Sequence, residues 1–344
     1  MVDLTSNNTL RLPAKAEKLI EINSEADIKK LPSENVLFLG TGANVLFKNN
    51  FSGTVALVKL GGSNIIKDSR NSVVIKLQAG VDWHEFVSSV VENNLSGVEN
   101  MALIPGKVGA AAVGNIAAYG QNQEDVFVSL EAFNLKSKKT EVFTKNDMEF
   151  SYRESILKKK SGEYLVISVT YKLSKTAHLE LSYHASRHAS LLPTLREIAK
   201  EPYTVRDVFN AVVKMRTEKL PDPKNIGTAG SFFKNPLISK NHYFSLKSLV
   251  SGLQAYPPEQ LKYEVESTWL EKTDVVKVPA GRLLDELGWR DKKIGNVGTF
   301  HNHALTVVTY PGATGREVYE FAENMRADVK KHFEIDLEYE VVIV

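Results

Sequence analysis

The chain has 344 residues, 43% of them hydrophobic and 24% charged, which is typical of a globular protein large enough for two or three domains. The formal net charge of +2 does not indicate a surface for nucleic acid or for an anionic membrane. Cysteine is absent, which excludes disulfides, thiol catalysis and iron–sulfur clusters, and no apolar run approaches the roughly 18 residues of a membrane span. The N-terminus is polar and shows no signal-peptide pattern. We therefore expect a cytoplasmic protein without nucleic-acid or membrane partners.

Strands and helices are predicted along the whole chain in an irregular order. A short apolar run that is closed by Gly40 predicts a buried strand at Val36–Leu39. A helix is expected over residues 83–93. Because the elements do not alternate regularly, the predicted fold class is α+β. Further strands are predicted at residues 54–59, 73–78, 131–135, 164–173 and 304–310.

A helix over residues 204–219 has clear start and stop signals. Thr204 can cap it, with Asp207 three residues later. The run Leu220-Pro221-Asp222-Pro223 ends it, because proline lacks a backbone donor and disfavours helix at the preceding residue. We expect this turn to be the main domain boundary. The predicted buried stripe of the helix consists of Val205, Val208, Phe209, Val212 and Val213.

The C-terminal part of the chain predicts a long helix followed by a strand. The helix Gly315–Phe333 begins with a capping box formed by Thr314 and Glu317. Residues 335–344 then alternate between apolar and mainly acidic side chains, which is a strand pattern. Glu338 and Glu340 share its polar face, so the pattern leaves open which of them faces a cleft, or whether both face solvent. The apolar faces comprise Val318, Phe321, Ala322, Met325 and Val329 in the helix and Ile335, Leu337, Tyr339, Val341 and Ile343 in the strand.

Two glycine-rich segments suggest anion or cofactor binding. Gly40-Thr41-Gly42-Ala43-Asn44 follows a strand, but it has neither the third glycine of a dinucleotide fingerprint nor the Gly-Lys-Ser/Thr of a Walker loop. It is either a hairpin turn or a phosphate loop whose amides point at an anion. Residues 104–120 contain four glycines and many alanines, and small side chains admit either a packed helix or a cofactor ring system. Together the two segments favour a dinucleotide bound along its length.

Several polar residues are candidates for chemistry. Ser231 lies in Gly230-Ser231-Phe232-Phe233-Lys234-Asn235-Pro236 without a G-x-S-x-G elbow or a base partner, so it is a proton donor or a structural residue. Arg153 either pairs with Glu154 or binds a carboxylate. Arg216 and Lys219, at the end of a helix, either compensate the helix dipole or bind phosphate.

The eight histidines show no spacing typical of a metal site, and we expect no metal. His301 and His303 flank Asn302, and their i, i+2 spacing on a strand could place both on one face. His84 is expected to be a structural residue at the start of a helix.

Six segments of the chain share a family pattern in the same order along the sequence. They are LGTGANVLF at 39–47, ENMALIPGKVGAAAVGNIAAYG at 99–120, FSYRESILK at 150–158, VFNAVVKMRTEKLPDPK at 208–224, GTAGSFFKNP at 227–236 and LEYEV at 337–341. Together they resemble the UDP-N-acetylenolpyruvoylglucosamine reductase family. The segment around Tyr183 and the linker at 221–224 are similar to the branch of this family that closes a tyrosine-bearing loop over the substrate.

The resemblance implies an FAD-binding domain of the vanillyl-alcohol-oxidase (PCMH) type with two lobes, residues 1–62 and 63–203. An α+β substrate-binding domain, residues 204–344, would follow, with its last strand returning to the active site. In this family, hydride passes from NADPH to non-covalently bound FAD and then to the enolpyruvyl double bond of a UDP-sugar, in peptidoglycan precursor synthesis. We expect a monomer.

The resemblance also assigns site residues. Ser231 would donate the proton, and Arg153 and Glu340, the second acid of the L-E-x-E-V motif, would stabilise the enolate-like intermediate. Glu340 would need to carry a proton or act through a neighbour, because a bare carboxylate repels the developing charge. The implied substrate-binding residues are Tyr183, Arg216, Lys219, Asn235 and His303. The implied FAD-binding residues are Gly40, Thr41, Gly42, Ala43, Asn44, Val45, Leu46, Pro105, Gly106, Gly109, Ala110, Asn115, Ile116, Tyr119 and Gly120.

Three residues depart from the family pattern, and none of them removes a catalytic group. Ala43 stands where the phosphate loop usually has serine, so we expect weaker or rearranged FAD contacts. His303 stands where this branch commonly has glutamine, and Tyr339 replaces a common proline between the two acids. The alternatives are another FAD oxidoreductase of the same cofactor fold, or a non-catalytic nucleotide-sugar binder. Oxidases of that fold often attach flavin to a histidine near the phosphate loop, and residues 36–60 contain none.

Overall fold

The computed structural model describes residues 1–181, 191–258 and 269–344. These residues form two compact units whose segments interleave along the chain. The first unit contains Met1–Val2, Ala16–Thr41 and Ser52–Arg216, and the second contains Asp3–Lys15, Gly42–Phe51 and Thr217–Val344. Each unit has its own hydrophobic core.

Strands and helices occur in the irregular order that the sequence predicts, so the α+β class is confirmed. Short 3₁₀ turns lie at Thr5–Asn7, Glu99–Met101 and Leu270–Lys272. The strands are β1 (Val2–Asp3), β2 (Lys15–Ile22), β3 (Val36–Leu39), β4 (Val45–Leu46), β5 (Phe51–Val58), β6 (Ser63–Asp68), β7 (Ser72–Gln78), β8 (Ala117–Ala118), β9 (Gln121–Asn122), β10 (Phe127–Asn134), β11 (Thr140–Thr144), β12 (Tyr164–Ser174), β13 (Gly227–Ser231), β14 (Leu237–Ser239), β15 (Val275–Lys277), β16 (Lys293–Ile294), β17 (Val297–Phe300), β18 (His303–Thr309) and β19 (Val342–Ile343). The helices are α1 (Glu25–Ile28), α2 (Trp83–Glu92), α3 (Val108–Val113), α4 (Gln123–Val126), α5 (Ile156–Lys159), α6 (Leu191–Ile198), α7 (Val205–Lys219), α8 (Lys240–Lys247), α9 (Ala280–Glu286) and α10 (Gly315–Phe333).

An antiparallel sheet in the order β11-β10-β12-β7-β6 dominates the first unit. Its central strand β12 is buried along most of its length, as its β-branched and aromatic side chains predict. Trp83 of α2 packs edge-on against Tyr171 of β12, with ring centroids 6.0 Å apart, so α2 covers one face of this sheet. In a smaller sheet, β5 lies beside β2 and pairs in parallel with β3.

The second unit is built around an antiparallel sheet in the order β13-β18-β17-β16. Helix α9 packs on β18 and α10 packs on β17. Trp289 and Phe321 meet edge to face in this core at 5.3 Å. The segments Asp3–Lys15 and Gly42–Phe51 join this unit through long-range bonds, such as the one that the Thr9 hydroxyl donates to the Thr228 carbonyl at 2.6 Å.

The two capped helices form where the sequence predicts them. Helix α10 has the predicted bounds, and the capping box is present: Glu317 N donates to Thr314 Oγ1 at 3.2 Å, and Thr314 N donates to the Glu317 carboxylate at 2.8 Å. Helix α7 begins and ends as predicted, and Val205, Val208 and Val212 of its predicted stripe are buried. Phe209 and Val213 are only partly buried, and Ala211 and Met215 complete the buried face instead. The predicted strands at 36–39, 54–59, 73–78, 131–135, 164–173 and 304–310 are present as β3, β5, β7, β10, β12 and β18.

The prediction of one continuous strand over residues 335–344 is wrong. The predicted alternation of burial is present, with Ile335, Leu337 and Val341 buried, but only Val342–Ile343 forms a strand. The segment touches two partners in turn. Tyr339 bridges Phe233, and β19 then pairs in parallel with β4. Among the described residues, no single neighbouring strand runs beside the whole segment, so the ladder is interrupted.

The compact units do not follow three contiguous stretches of chain. The division at Arg216 and Thr217 falls inside α7, close to the proline-containing turn, whereas a domain starting at residue 204 would include all of α7. The separation of residues 1–62 from 63–203 as two lobes stays a prediction.

Candidate active site

Gly42 is locked in place by the N-terminal segment. Its φ is +66°, a conformation that favours glycine. A Cβ at this position would lie 2.2 Å from the Asn7 carbonyl oxygen and 2.8 Å from the Asn8 Cα. Thr9 N also donates to the Gly42 carbonyl at 3.3 Å. The turn of the predicted phosphate loop is therefore held by backbone that cannot move aside as a side chain would.

The loop then joins the C-terminal segment. Asn44 Nδ2 donates to the Glu340 carbonyl at 3.1 Å, and Val342 N donates to the Asn44 carbonyl at 3.0 Å. Val45 and Leu46 pair with β19. The structure thus brings Glu340 beside Asn44 and the turn that holds Ala43, within the second unit.

In the first unit, the second glycine-rich segment packs closely against the sheet at one glycine and leaves open space beside another. Gly109 lies against the sheet: its N donates to the Ala79 carbonyl at 2.9 Å, and a Cβ would lie 2.8 Å from the Ala79 Cβ. Gly109 therefore permits close packing of α3. Gly106, with a φ of +138°, has nothing within 4 Å of its Cβ position. Pro105 and Ala110 are exposed on this segment.

Three buried polar side-chain atoms in the described part of the chain have no hydrogen-bond partner: Thr41 Oγ1, Asn100 Oδ1 and Arg216 Nε. Buried polar atoms are nearly always bonded, so each of these atoms is open to a partner such as a water molecule, an ion or a bound ligand. Thr41 belongs to the predicted phosphate loop. Asn100 supports the glycine-rich segment, because its Nδ2 donates to the Tyr119 carbonyl at 2.7 Å. Open glycine backbone beside unpaired polar atoms fits a dinucleotide such as FAD.

Two left-handed turns carry Asn115 and Arg153, with φ values of +43° and +58°. They are bonded to each other. Asn115 Nδ2 donates to the Ser151 carbonyl at 2.9 Å, and the Arg153 guanidinium donates to the carbonyls of Asn115 at 3.4 Å and Ala117 at 3.1 Å. Left-handed non-glycine residues cost free energy and cluster at functional sites. The first unit thus brings Arg153 against the predicted cofactor segment, which also holds Ile116 and Gly120.

Arg216 is not a simple helix-end cation. Its guanidinium donates to the Leu103 carbonyl at 3.3 Å and is hydrogen-bonded to Tyr119. Burial lowers the pKa of Arg216, and the interaction with Tyr119 partly offsets this shift. Burial also raises the pKa of the Tyr119 phenol. His84 accepts from Leu103 N at 3.2 Å through Nδ1, and burial lowers the pKa of this imidazole. His84 lies at the start of α2 as predicted, and it supports the loop that contacts Arg216, while its structural role stays a prediction.

A β-bulge presents Ser231. Strand β13 pairs with β18 at Thr228↔Val308 and then at Ser231↔Thr306, so β13 contains one extra residue. Gly230 turns the backbone there with a φ of +70°. Bulges re-aim side chains and are common beside active sites. The neighbouring Phe232 is fully buried and anchors the strand, while Ser231 stays partly exposed.

The second unit also contains three of the predicted substrate-binding residues. The Asn235 side-chain oxygen accepts from Ala280 N at 3.0 Å, so it caps the start of α9. His303 Nδ1 lies 3.4 Å from the Thr306 hydroxyl, which places it near the pairing partner of Ser231. Lys219 is the last residue of α7. Tyr183 lies outside the described residues.

Sequence reasoning missed the supporting residues Asn100, Leu103 and Asn8. Asn100 lies in a segment quoted for the resemblance, and its position directly before the glycine-rich run was the available signal. Among the described helices, none has both the length and the apolar character needed to cross a membrane. Within the same residues, no group of three or more His, Cys, Asp or Glu side chains is placed to hold a metal ion.

Comparisons with known proteins identify the family of the chain. A family model described as "FAD binding domain" matches residues 9–139, and one described as "UDP-N-acetylenolpyruvoylglucosamine reductase, C-terminal domain" matches residues 222–344. The reductase of Flavobacterium johnsoniae is 38% identical, covering 99% of this chain and 98% of its own, and that of Bdellovibrio bacteriovorus is 36% identical, covering 99% and 97%. The crystal structure of the reductase from Thermus caldophilus matches with a TM-score of 0.67 at 19% identity, covering 100% of this chain and 97% of its own.

The FAD-binding domain and the curated relatives identify the chain as an FAD-dependent oxidoreductase. The chain belongs to the UDP-N-acetylenolpyruvoylglucosamine reductase family. The predicted family, fold class and use of FAD are thereby confirmed. The predicted reductase function in peptidoglycan precursor synthesis is the function of this family.

Proposed function

We propose that this protein reduces the enolpyruvyl group of UDP-N-acetylglucosamine enolpyruvate to give UDP-N-acetylmuramate, with NADPH as the hydride source. Membership of the family supports this proposal. The observation that carries it is a backbone bond in the second unit: Glu340 N donates to the Phe232 carbonyl at 3.0 Å. Phe232 directly follows Ser231, so the candidate proton donor and the candidate acid lie on segments that are joined to each other.

The residues that would hold FAD are those of the phosphate loop, Thr41 and Gly42, and those of the glycine-rich segment around Gly106, with Asn100 beside it. Bound FAD supplies two-electron hydride transfer, from NADPH and then to the enolpyruvyl double bond. Ala43 leaves the backbone of the loop intact, because Gly42 is fixed through its own backbone. We therefore expect FAD binding to survive the loss of the usual serine hydroxyl.

Ser231 completes the reduction with a proton. Hydride adds to one carbon of the double bond, and Ser231 Oγ donates a proton to the adjacent carbon. The two carbons thus gain one hydride and one proton, and Ser231 recovers its proton from solvent. The bulge and the buried Phe232 hold the serine backbone, so little reorganisation is needed for this transfer.

Arg153 and Glu340 would stabilise the negative charge that develops on the substrate carboxylate as hydride adds. A fixed guanidinium suits this role because its charge is permanent and its geometry matches a carboxylate. The Arg153 backbone is held by the Lys158 ammonium, which donates to the Arg153 carbonyl at 2.6 Å. Glu340 would act as a proton-bearing or hydrogen-bonded partner on the side of Ser231.

Arg216, Lys219, Asn235, His303 and Tyr183 are proposed to bind the UDP-sugar. The positive charge of Arg216 favours a diphosphate, and its unpaired Nε offers a further donor. The Asn235 oxygen caps α9, so a contact with substrate would come from its amide nitrogen. We further propose that the enzyme is monomeric and cytoplasmic, where a nucleotide sugar and NADPH are available.

The test is a steady-state assay with purified protein. NADPH consumption should require the enolpyruvyl UDP-sugar, and the product should be heavier than the substrate by two hydrogens in mass spectrometry. Consumption of NADPH that depends on oxygen and not on the UDP-sugar would favour another flavin oxidoreductase. A colourless protein that binds the UDP-sugar would favour a non-catalytic binder.

A further inference from the structure

Tyr339 is held by an unusual set of contacts between the two acids of the C-terminal segment. Its ring lies against Phe233 at 5.2 Å and Phe232 at 6.0 Å, measured between ring centroids. Its hydroxyl donates to Glu323 Oε1 on α10. The ring and the hydroxyl therefore connect α10 to the residues that follow Ser231.

Arg326 completes this arrangement from the same helix. Its Nη1 pairs with Glu323 Oε1 at 2.7 Å, and its Cζ lies 5.1 Å from the centroid of the Tyr339 ring. Its Nε also donates to the Leu337 carbonyl at 2.9 Å. Glu323 and Arg326 thus hold the C-terminal segment by both side chain and backbone.

The backbone around Tyr339 links it to both proposed proton-handling residues. Lys234 N donates to the Glu338 carbonyl at 2.9 Å, and Glu340 N donates to the Phe232 carbonyl at 3.0 Å. Any shift of Tyr339 would therefore move Glu340 and the strand end that carries Ser231. The Tyr339 N–H takes no part in these two bonds, so the backbone ladder does not depend on it.

We infer that Tyr339, held by Glu323 and Arg326, is a positioning residue that sets the place of Glu340 relative to Ser231 during reduction of the enolpyruvyl group. This inference rests on the proposed function. Tyr339 does not touch the reacting atoms in this account. It acts through the backbone bonds on either side of it.

The test is a double-mutant cycle with Tyr339→Phe and Glu323→Ala, which remove the hydrogen bond between these side chains from its two ends. Glu323→Ala also removes the ion pair with Arg326. Each variant should slow reoxidation of the reduced enzyme by the enolpyruvyl UDP-sugar about fivefold, since small misplacements of reacting groups cost up to about 10²-fold. The double variant should be no slower than the slower single variant. Flavin affinity and reduction by NADPH should stay at their wild-type values. Glu320→Ala is the matched control, because it removes an exposed carboxylate one turn earlier on α10, where it pairs with Arg316 at 2.9 Å.

Two results would overturn the inference. One is a Tyr339→Phe enzyme with a lower melting temperature but a wild-type ratio of the two half-reaction rates, which would make Tyr339 purely structural. The other is a double variant whose loss is the product of the two single losses. If the wild-type enzyme itself is not reoxidised by the UDP-sugar, the proposed function fails and this inference falls with it.

Discussion

Replacing Gly42 with alanine should damage both the fold and flavin binding. The new Cβ would lie 2.2 Å from the Asn7 carbonyl oxygen, and this contact involves backbone on both sides. The left-handed φ of +66° adds a conformational cost of about 1–2 kcal/mol for a residue with a Cβ. Relief of the clash should cost a further 1–3 kcal/mol, roughly the price of overpacking. The expected loss of stability is therefore about 2–5 kcal/mol.

Gly252→Ala provides a matched control in the same unit. Gly252 has nearly the same φ, +69°, but nothing lies within 4 Å of its Cβ position. Only the conformational cost of about 1–2 kcal/mol should remain there. The difference between the two variants therefore isolates the clash with Asn7 from the cost of the left-handed conformation.

Urea unfolding of the flavin-free protein measures the stability loss, and flavin fluorescence titration measures affinity. Displacement of the loop in Gly42→Ala should weaken flavin binding at least about tenfold, which corresponds to about 1.4 kcal/mol. Gly252→Ala should bind flavin as the wild type does. Equal stability losses in the two variants, together with unchanged flavin affinity in Gly42→Ala, would refute the role given to the N-terminal segment.

Four further substitutions test the site and its surroundings. Ser231→Ala should keep flavin and its reduction by NADPH but slow reoxidation by the UDP-sugar about 10²-fold or more in stopped-flow experiments; an unchanged rate would make Ser231 structural. Glu340→Gln should slow the same step, whereas Glu338→Gln should have little effect because that carboxylate is exposed and pairs with Lys234 at 3.3 Å. A larger loss of rate in Glu338→Gln than in Glu340→Gln would show that Glu340 is not the acid involved. Burial raises the pKa of Glu124, so its contribution to stability is present below the ordinary pKa and is lost as pH rises through the folded value. Glu124→Gln should therefore gain stability relative to the wild type as pH rises above the ordinary carboxyl pKa and through the raised folded value in urea unfolding, and a pH-independent difference would contradict this.

Local signals in the sequence were enough to predict those helices and strands whose bounds are set by their own residues and immediate neighbours. Helix α10 was predicted with its observed bounds because its capping box and its apolar stripe all lie within the helix or next to it. The final strand was predicted too long because its partners, Phe233 and β4, are far away in sequence. Alternation of side chains reported burial correctly but could not show where pairing stops.

The candidate site shows the same contrast between features that local sequence predicts and features that depend on tertiary contacts. The sequence shows the glycine of the phosphate loop, but it does not show that Gly42 packs against the backbone of Asn7, because the two residues lie 35 positions apart. The sequence predicts Arg216 to be either a helix-end cation or a phosphate ligand. It does not show the contact with the Leu103 carbonyl, because that contact depends on tertiary packing. The network of Tyr339 with Glu323 likewise joins residues that no local pattern connects.

The most direct test of the account is an anaerobic titration of the flavin in purified enzyme. NADPH should bleach the flavin absorbance, and an equal amount of enolpyruvyl UDP-sugar should restore it with the formation of UDP-N-acetylmuramate. Bleached flavin that regains its colour only when oxygen is admitted would contradict the account, as would a purified protein that binds no flavin.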